Sequence, residues 1–130
     1  KLYFKDKSLV LRGLLDTGNN LYDPIFGKPV NVIEYSSIIK LLSEEDADYI
    51  KKIIDNNQGL TVSNNSLNVF MIPFKSIGRK NGLLPAIKID KLEIIKGNDT
   101  IYNENVLTGI WTGHLSKQGK YQLILHRDLM

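Results

Sequence analysis

Leu14-Leu15-Asp16-Thr17-Gly18-Asn19 is an apolar run that delivers one carboxylate into a tight turn. Strand residues fix the backbone ahead of Asp16, Gly18 fits a bend where a side chain would clash, and the Thr17 hydroxyl can hydrogen-bond locally. Such a turn aims and holds a carboxylate. Peptide hydrolysis by carboxylates needs two of them sharing one proton, because like charges roughly 3 Å apart cannot both ionise. The stretch therefore reads as half of an aspartic peptidase site.

A second Asp-Thr/Ser-Gly triplet is absent from the chain. The nearest approach, Asp99-Thr100-Ile101, puts Ile where the turn needs glycine and follows the Gly97-Asn98 turn signal, so it reads as a hairpin exit. A chain of 130 residues also lacks room for two lobes, since one domain takes about 100–200. The second aspartate is expected from a second copy in a symmetric dimer. Chance alone gives the triplet in roughly 2% of chains this long, so its flanks carry much of the weight. Leu9-Val10-Leu11-Arg12-Gly13-Leu14-Leu15 reads as a buried strand, and Leu21-Tyr22-Asp23-Pro24 followed by Pro29–Glu34 as a turn and an alternating strand.

Several blocks in order resemble one family. They are Asp16-Thr17-Gly18-Asn19 with Leu21-Tyr22-Asp23-Pro24 and Pro29-Val30, then Ile72 to Gly78, Gly82 to Asp90, and Gly119 to His126. The chain resembles the sporulation sigma-E factor-processing peptidases, membrane-anchored aspartic peptidases of spore-forming bacteria. The resemblance implies a mostly β, retropepsin-like closed β-barrel with one helical insertion, active as a homodimer. It implies a single domain over 1–130, the C-terminal soluble half of a longer membrane protein, lying on the cytoplasmic side in the mother cell. The implied activity is removal of the pro-segment of an inactive sigma factor, pro-sigma-E, without a cofactor or metal and with Asp16 as catalytic residue. A forespore signalling protein acting on the full-length protein is the implied regulator. Asn19 departs from the Ala of viral-type relatives and the Ser or Thr of pepsins. An amide there can donate to the aspartate's outer oxygen and favour its ionised form, and the sequence leaves open which way this tunes the dyad.

Composition agrees with a soluble fragment, at 42% hydrophobic and 24% charged residues with a net charge of +3. No apolar run approaches the ~20 residues that cross a membrane, and the chain starts at Lys1 without a signal-peptide pattern. The absence of cysteine excludes disulfides, thiol catalysis and thiolate metal sites. Lys and Arg are scattered, which argues against a nucleic-acid surface. His114 and His126 are too far apart for metal-ligand spacing and read as surface or core residues. No serine sits in a nucleophile elbow, and no phosphate-binding Gly-Lys-Ser/Thr loop occurs. Trp111 and the six tyrosines read as core or interface residues.

From Tyr35 to Asp55 the pattern turns helical. Ser43 and Asp46 form a capping pair, Ala47, Ile50, Ile53 and Ile54 recur at helical spacing, and Glu44, Glu45, Asp48, Lys51 and Lys52 face away. This amphipathic helix is expected to cover an open end of the barrel or to dock a partner. Polar stretches at 55–59 and 63–66 flank a short Leu60-Thr61-Val62 segment as an exposed excursion. Leu67–Ile72 and Leu83–Ile89 are apolar runs joined across Gly78-Arg79-Lys80-Asn81-Gly82, a strong hairpin signal. The hairpin is expected to be the substrate-binding flap, with Gly78, Arg79, Asn81 and Gly82 at its tip, or else an ordinary surface hairpin.

The C-terminal third reads as strands Lys91–Lys96 and Thr100–Tyr102 across Gly97-Asn98, then Asn105–Ile110 with an apolar pair leading to Gly109. An apolar pair leading to a glycine recurs in aspartic peptidases, and that resemblance implies close backbone approach at Gly109 beside the aspartate turn. Gly109, Gly113 and Gly119 make 110–120 a poor helix. Tyr121–Leu125 alternates and is expected to be either a dimer-interface strand or a simple edge strand. The competing function is a non-catalytic barrel acting as a docking module, for example on an RNA polymerase subunit. A structural β-domain is the third class. Self-association together with turnover separates the peptidase from both.

Overall fold

A computed structural model describes residues 1–56, 67–74 and 82–130. Strands dominate it, with 48% strand and 20% helix. In chain order the elements are β1 (Leu2–Phe4), β2 (Lys7–Leu9), β3 (Gly13–Asp16), β4 (Val30–Glu34), α1 (Tyr35–Ile38), a 3-10 turn over Ile39–Leu41, α2 (Glu44–Asn56), β5 (Phe70–Phe74), β6 (Gly82–Lys96), β7 (Asp99–Trp111) and β8 (Leu123–His126), closed by a 3-10 turn over Arg127–Leu129.

Seven strands follow one another in the order β2-β1-β6-β7-β4-β8-β3, and β5 pairs with β6 off this path. The path ends at β2 and β3, which are not paired to each other, so the sheet is a curled half-barrel in place of the closed barrel expected. A cavity of about 310 Å³ opens at the seam, lined by Leu2, Leu92 and Ile94 on one side and Leu15, Leu123 and Leu125 on the other. Val10 and Ile95, 70% and 65% exposed, also line it. The expected strand over 9–15 is split here, because residues 10–12 leave the sheet between β2 and β3 and Leu14 points outward.

The curl follows from the long β6–β7 hairpin. Its tip is Gly97, whose φ of 60° favours glycine. Its ladder runs from Lys96–Asp99 to Ala86–Gly109 but skips the Asp90–Asn105 position, where Asn105 has φ 54°. Asn tolerates this left-handed backbone. The Asp90 carboxylate accepts the Lys5 N–H at 2.6 Å instead, which ties the start of the chain to the bend. The separate strands read at 83–89 and 91–96 are therefore one strand, bent where its pairing lapses.

Helix α2 begins as expected: the Ser43 hydroxyl accepts the Asp46 N–H at 3.1 Å. Ile50 and Ile53 are buried and Glu44, Glu45, Asp48, Lys51 and Lys52 face away, while Asp46 is buried and pairs with Lys5 Nζ at 2.9 Å. Ile50 belongs to the main core with Ile33, Ile38, Leu41, Ile87, Ile89 and Ile110, so the helix covers one face of the curled sheet. Burying each such side chain contributes about 1.5–3 kcal/mol. A smaller cluster of Val30, Ile72, Leu84, Ala86 and Leu107 fills the other face of β4 and β7. Strand β4 is thus covered on both faces. Residues 112–122 form no helix, as the glycines indicated.

One expectation is overturned at the C-terminus. β8 is not an edge strand, because it lies between β4, antiparallel, and β3, parallel. Its apolar Leu123 and Leu125 belong to the main core, which draws it inside the sheet. The excursion over 57–66, including Leu60-Thr61-Val62, lies outside the described residues.

Candidate active site

Asp16 is the last residue of β3, four residues held in parallel register against β8, with Asp16 opposite His126. β3 has no partner on its other side among the described residues. Past Asp16 the chain turns at once. The Asn19 N–H donates to the Asp16 carbonyl at 3.0 Å, and the Gly18 N–H donates to Asp16 Oδ1 at 2.8 Å. Asp16 Oδ2 has no partner among the described residues. Gly18 keeps the turn close: a Cβ there would lie 3.2 Å from the oxygen that the turn holds, a tight contact that would push the carboxylate aside by a few tenths of an ångström. Thr17 is exposed at the apex.

Asn19 does not do what its position suggested. Its Nδ2 donates to the Val30 carbonyl at 3.1 Å and its Oδ1 accepts the Leu21 N–H at 3.0 Å. The side chain ties the turn to β4 and leaves the aspartate to the Gly18 N–H. The loop continues to a bridge between Tyr22 and Pro29. Inside it the buried Asp23 carboxylate accepts the Ile25 and Phe26 N–H groups at 3.2 and 3.1 Å. An Asx-type turn of this kind holds its loop without a helix or strand.

A second set of contacts grips the turn from β8. Arg127 Nη1 donates to the Thr17 carbonyl at 3.3 Å. Asp128 Oδ2 accepts the Tyr22 hydroxyl at 2.7 Å, a bond that raises the tyrosine's pKa by favouring the phenol. His126 is fully buried. Its N–H donates to Asn31 Oδ1 at 2.8 Å, and its Nδ1 accepts the Asp128 N–H at 3.0 Å. The Tyr22 ring meets the imidazole edge-on, with centroids 4.6 Å apart. Burial pushes the imidazole's pKa below 6.5, so the neutral ring is favoured.

Beyond Leu21 an apolar cleft of about 250 Å³ opens, lined by Leu21, Val32, Phe74, Leu84, Trp111 and Leu115. Phe74 and Trp111 meet edge-to-face at 6.0 Å. Gly109 lies directly behind Leu84, where a Cβ would come within 2.4 Å of Leu84 Cδ2. The close approach expected at this glycine is thus to the cleft wall. Glu34, at the end of β4, is buried and accepts the Leu115 N–H at 2.8 Å, which fixes that end of the cleft.

The hairpin expected to form a flap has its stem in the structure, since Phe70–Phe74 pairs antiparallel with Gly82–Ala86. Gly82 faces Phe74, whose ring would meet a Cβ at 2.8 Å. Gly78, Arg79 and Asn81 lie outside the described residues. Sequence reading missed His126, Arg127, Asp128, Asn31 and Asp23. The signals were faint: His126 continues the alternation of Gln122 and Ile124, and an acid two residues later is a local turn signature.

Comparison with known proteins adds an independent result. A family model described as sporulation factor SpoIIGA matches residues 1–129. A Bacillus thuringiensis subsp. kurstaki protein, whose name assigns it provisionally to sporulation sigma factor processing, is 31% identical over 136 residues, covering 100% of this chain and 81% of that protein. The sporulation sigma-E factor-processing peptidases of Priestia megaterium and Bacillus subtilis are 28% and 27% identical, over 100% and 95% of this chain. The chain spans 43% and 41% of those two proteins. No solved structure matches. No helix among the described residues is long and apolar enough to cross a membrane. With its model matched over nearly every residue, the chain belongs to the sporulation factor SpoIIGA family.

Proposed function

We propose that this chain is the peptidase module of a sporulation sigma-factor-processing enzyme and cuts a peptide bond with Asp16 from each of two copies. The relatives named as sigma-E factor-processing peptidases support the substrate. One observation carries the mechanism: among the described residues, Asp16 ends an edge strand in a turn that holds Oδ1 through the Gly18 N–H and leaves Oδ2 without a partner. Two such carboxylates, one protonated, hold a water between them. The ionised carboxylate takes a proton as the water oxygen adds to the peptide carbonyl, and the protonated one gives its proton to the carbonyl oxygen. Collapse of the tetrahedral intermediate breaks the C–N bond as the nitrogen takes up a proton.

In this reading the retropepsin-like pairing brings the two turns together, with Thr17 bracing them across the axis. The apolar cleft from Leu21 to Leu115 receives a large apolar substrate side chain, and the 78–82 hairpin covers it. The remaining length of the relatives leaves room for a membrane part that receives the forespore signal. The test is cleavage of a pro-sigma-factor substrate by this chain and by Asp16→Asn at several protein concentrations. Activity that disappears in the variant and rises faster than linearly with concentration is expected. Substantial cleavage by a folded Asp16→Asn preparation overturns the mechanism.

A further inference from the structure

We propose that His126 is the positioning residue of the Asp16 turn, acting as a neutral imidazole that caps the 127–129 turn and is released from it by protonation. The proposal rests on the aspartic-peptidase reading of Asp16. The geometry supporting it is local. Residues 126–128 reach the loop at both ends, through Arg127 Nη1 to the Thr17 carbonyl and through Asp128 Oδ2 to the Tyr22 hydroxyl. Both contacts are made by side chains about half exposed, at 50% for Arg127 and 46% for Asp128. Such exposed polar contacts are individually weak, about 0–1 kcal/mol. They hold a geometry only if the backbone carrying them is fixed.

His126 supplies that anchor. It is pinned on three sides, by β3–β8 register opposite Asp16, by the Asn31 amide oxygen on its own N–H, and by the Tyr22 ring. Its Nδ1 accepts the Asp128 N–H, so in the neutral ring the proton sits on Nε2. That Nε2 is buried without a partner among the described residues. Protonation turns the one acceptor into a donor aimed at another N–H, and adds charge in a fully buried site. The cap is then lost and the segment carrying Arg127 and Asp128 is released. The charged and titratable groups around the ring are Asp16 on β3, Arg127 and Asp128 on the last turn and Tyr22 on the loop. The bond to Asp128 raises the Tyr22 pKa, so the tyrosine stays a phenol.

Histidine and amide nitrogen NMR of the intact chain between pH 7.5 and 5 tests this without requiring turnover. His126 is expected as the Nε2–H tautomer with a midpoint below 6.5, and the Thr17 and Gly18 amides are expected to move with that midpoint. His126→Asn keeps an acceptor that a following N–H can use, as at helix N-termini, but does not titrate. In that variant the amide shifts over this range should disappear while the turn's spectrum at pH 7.5 stays near native. His126→Leu, folded or not, is expected to perturb it more than Asn does. Turn amides that ignore the His126 midpoint, or that titrate unchanged in His126→Asn, overturn the proposal even if Asp16 proves catalytic. Coupled amides in a chain whose Asp16→Asn variant still cleaves substrate would uphold the structural grip and reject the catalytic role.

Discussion

Gly109→Ala is the substitution whose cost the structure specifies most fully. The new Cβ would stand 2.4 Å from Leu84 Cδ2, 3.1 Å from Leu84 Cγ and 3.5 Å from the Asn31 carbonyl. Carbon pairs are comfortable at about 3.5–4.0 Å. Turning the leucine about χ2 relieves the methyl contact but leaves Cγ in place, and turning it about χ1 moves the whole side chain, so either relief shifts packing within a cluster that includes Val30, Ile72, Ala86 and Leu107. Overpacking of this kind costs about 1–3 kcal/mol. Replacing a strand glycine by alanine returns about 0.5–1 kcal/mol, which leaves a net loss of up to about 2.5 kcal/mol, about 1 kcal/mol at mid-range. Leu84→Ala alone should cost about 2–5 kcal/mol. The double variant should cost less than the sum by about 0.5–3 kcal/mol, because the methyl at 109 then occupies space that Leu84 vacated. Urea unfolding at constant slope reads all four corners of the cycle. Strict additivity, or a Gly109→Ala protein as stable as the parent, refutes the claim that this glycine exists to seat Leu84.

Two further effects follow from the same coordinates. Ser43→Ala removes the acceptor of the Asp46 N–H at the start of α2 and should cost about 1 kcal/mol, read as a lower urea midpoint; an unchanged midpoint would show that the cap is redundant. For His126, burial lowers the folded pKa below 6.5, so between the two values the unfolded chain binds more protons and stability rises with pH. The stabilisation is complete above about 6.5 and declines on acidification by at most about 1.4 kcal/mol per pH unit. Thermal melts at pH 7.5 and 5.5 should therefore differ less in His126→Asn than in the parent, and an equal difference contradicts the assignment.

The sequence disclosed what depends on neighbours in the chain. The Asp16 turn, the Ser43 cap, the face of α2 and the Gly97 hairpin are each set by residues within a few positions, and each stands where it was expected. What escaped is set by distant partners. β8 looks like an edge strand because Tyr121–Leu125 alternates, yet it lies inside the sheet, where both of its neighbours come from the first 34 residues. The role of Asn19 was misread for the same reason. An amide after an aspartate turn suggests a local bond, but the Val30 carbonyl, 11 residues on, competes for it successfully. His126 is 110 residues from Asp16 in sequence and directly opposite it in the sheet, a proximity that no local pattern encodes.

The edge position of β3 bears on the two-copy reading. An unpaired edge strand is ordinarily a liability, and folds shorten, charge or cover such strands. β3 is only four residues long, but it ends in a turn that holds one oxygen of the Asp16 carboxylate. A residue on a central strand is flanked on both sides by its own chain, so a carboxylate there cannot meet its counterpart from another molecule without displacing a neighbour. On an edge strand one side is free. The other must then supply all the rigidity, and here it does: β8 is pinned by β4, and through His126, Arg127 and Asp128 it fixes the turn that β3 alone would leave loose. A site shared between two copies asks for this division, held from behind by one's own chain and open in front to the other.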